Sequence, residues 1–187
     1  MFDFTKAIEQ LVWHIVGNCP DFAHIETERI AVSYIRTRLS VAHGVYASVQ
    51  PLRFEGGATS IKRGRRTYAM PQVLHEGKEM LYIVSFALPR FMNLSFQDKI
   101  VTIFHELYHI SPEFNGDIRR FPGRKYAHGY SRKRYNEHVK SLAESYLLIP
   151  GSEESTAFLH QTFNQLEAEH GGIIGTKARS PKPKVIV

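Results

Sequence analysis

An α+β fold is what this sequence predicts, and two observations carry that reading. Apolar residues recur at helical spacing near the start of the chain and again from residue 95 onward, while the stretch between them shifts towards period two and is broken by paired glycines. The layout implied is a small, mostly antiparallel sheet packed on a central helix, with helices at the N-terminal and C-terminal ends.

Taken in order, Phe4, Ile8, Leu11, Val12 and Ile15 fall on one helix face, and Gly17 and Pro20 end that pattern. Between Arg29 and Arg36, Ile30, Val32 and Tyr34 alternate with Arg29, Ala31 and Ser33, and residues 44–54 follow a similar trend, so both segments read as strands. Gly56-Gly57 and Gly64 interrupt the chain before an apolar run from Met80 to Leu88, a further strand. Ser95 followed by Asp98 is a capping pair in front of Ile100, Val101, Ile103, Phe104 and Leu107, and Ser111-Pro112 closes that helix. After an irregular stretch marked by Gly116, Pro122, Gly123 and Gly129, a second helix carries Tyr135, Val139, Leu142 and Tyr146 up to Pro150-Gly151. Ser152 is placed to cap a last helix with Phe158, Leu159, Phe163 and Leu166 on its apolar face, ending at Gly171-Gly172.

With 187 residues, 43% hydrophobic and 22% charged, the chain can bury a core, and a single domain over residues 1–175 with a basic flexible tail over 176–187 is the expected organisation. The single cysteine, Cys19, excludes an internal disulfide framework and a cysteine-built zinc ribbon, and it suits a reducing cytoplasm. No secretion signal or membrane-length apolar run is visible, so a soluble cytoplasmic protein is expected. A formal charge of +6 favours acidic partners, nucleic acid among them.

The chemistry concentrates in His105-Glu106-Leu107-Tyr108-His109. On a helix of 3.6 residues per turn, two histidines four apart project from one face and can share one Zn²⁺. Glu106 then lies beside the ion, where a carboxylate can take a proton from an activated water. A catalytic zinc takes three protein ligands and keeps a fourth position open, so a further donor is required. His128, standing with Gly129 just before the second helix, is the choice; His138 and Glu144, inside that helix, are the alternatives. Positions 112 and 115 hold Pro112 and Asn115, so the compact Gly-x-x-His extension of the metzincins is absent.

His105-Glu106-x-x-His109 followed by Ala127-His128-Gly129 resembles the SprT-like branch of the zincin metallopeptidases over roughly residues 95–148. Ser111 to Arg120, with its Gly and Arg-Arg ahead of a second histidine, looks closer still to a family of metallopeptidases from phages and prokaryotic genomes. The resemblance implies a zincin-like fold, zinc at His105, His109 and His128, Glu106 as general base, and a protein or peptide substrate.

Two basic segments stand apart from this motif. Between Arg119 and Arg134 there are seven cations and no Asp or Glu, and Lys62, Arg63, Arg65 and Arg66 surround Gly64 at what reads as a hairpin tip beside Tyr68. Either could meet phosphates, although solvated surface is the ordinary use of such runs. Tyr108, Tyr126 and Tyr130 lie near the ligand candidates, and Tyr130 is the one to consider for stabilising an oxyanion. Zinc-dependent peptide hydrolysis therefore leads. A nucleic-acid-associated module with a structural or vestigial metal site, and a metal-dependent hydrolase of a non-peptide bond, are the alternatives.

Overall fold

The computed structural model describes residues 1–37, 44–123, 126–129 and 131–186. In chain order the elements are β1 (Phe2–Asp3), α1 (Phe4–Asn18), β2 (Ile30–Arg36), β3 (Ala47–Pro51), β4 (Ser60–Arg63), β5 (Arg66–Ala69), β6 (Val73–His75), β7 (Lys78–Met80) and β8 (Tyr82–Leu88). They continue as α2 (Phe96–Tyr108), α3 (Arg132–Tyr146), α4 (Ser152–Thr156), α5 (Phe163–His170), β9 (Ile173–Ile174) and β10 (Lys184–Val185). The protein is thus mixed α+β, with several small sheets in place of one.

The sheet that positions the site has the order β2-β8-β3. Its central strand is buried along its whole length, as the unbroken apolar run requires of a strand covered on both faces. Tyr82, Val84, Phe86 and Leu88 enter the main core with α1, α2 and α3, whereas Ile83 sits with Leu52 and Met80 on the opposite face. Pairing departs from the antiparallel expectation. β3 runs antiparallel to β8 with Val49 opposite Val84, but β2 runs parallel to it with Val32 opposite Val84. The long excursion through β3–β7 supplies the crossover that a parallel pair needs.

α1 is capped by Asp3, whose side chain accepts from the Lys6 N–H at 3.0 Å, and its buried Phe4 meets Phe86 edge-on at 5.8 Å. α2 begins where the capping pair places it: Ser95 Oγ accepts from the Asp98 N–H at 3.1 Å. Ile100, Ile103, Phe104 and Leu107 are fully buried, which fixes the rotation of α2 and therefore the direction in which its histidines point. α3 packs alongside through Tyr135, Val139, Ala143 and Tyr146. The last predicted helix is divided. α4 passes into a 3-10 turn (Ala157–His160), and Thr162 starts α5 with a capping box to Gln165. Gly151, in the left-handed region, takes the cap position assigned to Ser152.

Residues 176–181 run across the outer face of the β2-β8-β3 sheet. Thr176 O accepts from the Tyr34 N–H at 3.1 Å, the Ala178 N–H donates to Ser33 Oγ at 2.9 Å, and Pro181 O accepts from Gln50 Nε2 at 3.3 Å. β10 then adds antiparallel to β5 of the β4–β5 hairpin. Among the described residues, no helix is long and apolar enough to cross a membrane.

Candidate metal centre

His105 lies in the last turn of α2 and His109 caps its end. Their Nε2 atoms are 3.0 Å apart, and His128 Nε2 is 3.5 Å from that of His105. Three nitrogens each at about 2.0–2.1 Å from a tetrahedral zinc would stand about 3.3–3.4 Å from one another, so the separations fit a shared ion. Burial pushes His105 down to about 4 and His109 to about 3, and burial followed by the Arg132 charge lowers His128 as well. Neutral rings with free lone pairs are the form that binds a metal. Among the described residues this trio is the group able to hold an ion.

His128 reaches the trio because the intervening loop is folded back and braced. Ile110 bridges Ile118, the Arg119 N–H donates to His109 O at 2.6 Å, and Ser111 N–H donates to Asp117 O at 3.3 Å. Asp117, only 4% exposed, accepts from Arg120 Nε and Nη2 at 2.7 and 3.0 Å and from the Gly56 N–H at 2.9 Å. The Tyr82 hydroxyl donates to Asp117 O at 2.8 Å and accepts from the Gly116 N–H at 3.0 Å, tying the loop to β8. Gly129, next to His128, has φ +67°, and a side chain there would be strained as well as pressed to 3.4 Å from Phe121. His138 and Glu144 point elsewhere: the His138 ring packs 5.0 Å from Tyr108, and Glu144 is an exposed partner of Lys140.

Glu106 faces the edge strand. Its Oε2 accepts from the Val49 N–H at 2.7 Å, and Val49 lies on β3, on the side of that strand away from β8. Burial pushes the carboxyl up to about 7 against the lowering effect of that hydrogen bond. A cleft of about 450 Å³ opens between β3 and α2, lined by Ala47, His105, Glu106, Arg132, Asn136 and Lys140 among others.

Tyr135 was legible only as a core position, yet it also orders the trio. Tyr135 Oη lies 3.3 Å from His109 Nδ1 and donates to His105 O at 3.5 Å, so with His109 Nε2 given to an ion the Nδ1–H has the phenol oxygen as its acceptor. Such a partner on the far ring nitrogen fixes tautomer and orientation. Nothing in a single sequence distinguishes this phenol from a packing aromatic at the same helical spacing.

The other candidates have structural roles. Arg119 Nε donates to Tyr108 O at 2.8 Å and its guanidinium stacks 4.1 Å from the Tyr108 ring, so Tyr108 packs. Arg120 is neutralised by Asp117 and Glu55 and lies 4.7 Å over Tyr126. Tyr130, Arg124 and Lys125 lie outside the described residues.

Three convergent imidazoles beside a buried carboxylate, held on the end of one helix by a braced loop, are compatible with the metal site of a hydrolase. The model of the family described as Putative phage metallopeptidase matches residues 5–146, most of the chain, and the protein belongs to that family. Membership carries, at family level, a metal ion and a peptidase activity on protein or peptide. No curated protein and no solved structure matches the chain.

Proposed function

We propose that the protein is a zinc-dependent peptidase in which His105, His109 and His128 hold the ion and Glu106 is the general base. The observation that carries this reading is the convergence of three imidazole nitrogens at separations of 3.0 and 3.5 Å, one residue from a buried glutamate. Zinc bound there would acidify a water and polarise a substrate carbonyl.

The chain's own residues supply the rest. Glu106, anchored through one oxygen by the Val49 N–H, has a carboxylate to accept the proton from the attacking water and to return it to the leaving amine. Tyr135 keeps His109 in the ligating tautomer. β3 forms one wall of the cleft, with backbone groups that an extended peptide could pair. The His-Glu-x-x-His helix, the sheet beside it and the returning histidine support reading this as a zincin-like, SprT-like arrangement. The free, buried Cys19, whose thiol burial pushes up to about 11, suits a reducing cytoplasm.

The test is Glu106→Gln with zinc content and peptide hydrolysis measured on the same sample. One zinc per chain with hydrolysis reduced by about a hundredfold or more supports the assignment. Hydrolysis at the wild-type rate would remove Glu106 from the reaction.

A further inference from the structure

The positive charge of the molecule lies apart from this site. Residues 59–70 contain Lys62, Arg63, Arg65 and Arg66, and residues 176–187 contain Lys177, Arg179, Lys182 and Lys184, with no Asp or Glu in either segment. These are eight of the 24 Lys and Arg, so the remaining 16 are outnumbered by the 18 Asp and Glu. The whole net charge of +6 therefore comes from two segments over a hundred residues apart in sequence.

The fold joins them. β10 pairs with β5, Lys184 opposite Ala69 and Val185 opposite Tyr68, and the Ile186 N–H donates to Thr67 O at 2.9 Å. Among the described residues this pairing reaches Thr67, and Lys62 to Arg66 lie beyond it as a two-stranded ribbon. Gly64, at φ +60°, occupies the first position of its two-residue turn.

Arg63 and Arg66 stand directly opposite each other on the face that carries Tyr68, Lys62 and Lys184 are on the other face, and Arg65 is at the tip. Like charges placed opposite one another weaken a hairpin. Three arginines elsewhere are held by carboxylates: Arg29 and Arg53 meet Glu79, and Arg120 meets Asp117. None of the four hairpin cations has an ion-pair partner among the described residues, and all four are exposed.

We propose that this ribbon is a docking element for duplex nucleic acid, which it enters through the major groove. That groove is about 12 Å wide, admits a two-stranded β-ribbon and has phosphates along both walls. Cations on both faces and at the tip match two walls, whereas a flat anionic bilayer would meet only one face. Three of the four tip cations are arginines, whose planar guanidinium groups suit phosphate oxygens. The surface owes nothing to the metal centre and stands or falls independently of the peptidase assignment.

Fluorescence anisotropy of the full chain with a labelled DNA duplex, over about 50 to 200 mM salt, tests it. Log K should fall linearly with log salt, by about 0.9 for each phosphate neutralised. Replacing Lys62, Arg63, Arg65 and Arg66 together by Ser should make that slope shallower by up to about 3.6, about 0.9 for each of the four cations, and weaken binding at least about tenfold at the low-salt end. Zinc content and circular dichroism should match wild type. Should the fourfold variant fail to fold, Arg65→Glu alone, at the turn and outside the ladder, should still weaken binding, while Arg63→Lys with Arg66→Lys should keep the slope. Three results each overturn the proposal: no duplex binding at low salt, wild-type binding by a folded charge-removed variant, or tighter binding to equimolar phosphatidylcholine–phosphatidylserine vesicles than to the duplex.

Discussion

A metal-ligating imidazole is only as well aimed as the group on its other nitrogen, and for His109, a ligand in the proposed site, that group is the Tyr135 hydroxyl at 3.3 Å. Tyr135→Phe keeps the ring, which is 5% exposed in the core, and removes only the oxygen. The expected result is zinc affinity lower by about 10- to 100-fold in a competitive chelator titration, with the zinc-free unfolding midpoint little changed. Asp117 acts at one remove, by holding the loop that returns His128. Asp117→Ala leaves Arg120 and the Gly56 N–H without their acceptor and should cost about 2–4 kcal/mol in urea unfolding, with zinc binding weakened as the loop loosens. His105, Glu106 and His109 could be read from spacing alone, because a helix converts sequence interval directly into geometry. Asp117 and Tyr135 could not. Their partners are brought to them by tertiary folding, and neither residue type at its position signals that role.

The two site helices show how local chemistry sets elements. Ser95→Ala removes the α2 cap and should lower stability by about 1 kcal/mol, read from thermal unfolding. Lys99, one turn further on and 1% exposed, donates to Leu159 O and Gln161 O at 2.8 and 2.7 Å, tying α2 to the segment before α5. Burial pushes its pKa from the ordinary 10.5 down to about 8. Between those two pH values the unfolded chain holds a proton that the folded chain has released, so stability from this group rises with pH across that window. Urea titrations should show that rise in wild type and lose it in Lys99→Met. Helices were legible because an apolar stripe and a cap are local signals. The direction and partner of each strand were not. A period-two pattern says which face is buried, but ladder hydrogen bonds are made by backbone and carry no mark of the neighbour, so the parallel pairing of β2 with β8 had no signature.

Across the molecule, the C-terminal segment closes the outer face of the β2-β8-β3 sheet before it joins the basic hairpin. Ala178 packs against the cluster of Leu52, Met80 and Ile83, and the Ala178 N–H is bonded to Ser33. Deleting residues 176–187 should therefore lower the unfolding free energy by about 2–5 kcal/mol while leaving the three histidines able to bind zinc. A Pro-containing basic stretch reads as loose in sequence because its apolar content is small; backbone hydrogen bonds to β2 and β5 hold it, and those are invisible to composition.

In the proposed site one ion is shared by three histidines from two parts of the chain. A crystal structure of the zinc-loaded protein, with anomalous differences collected at the zinc edge, tests it most directly. A single peak is expected at about 2.0–2.1 Å from the Nε2 atoms of His105, His109 and His128, with Glu106 beside the ion and not bound to it. A peak coordinated by His138 or Glu144 in place of His128, or no peak at the histidines, would contradict it.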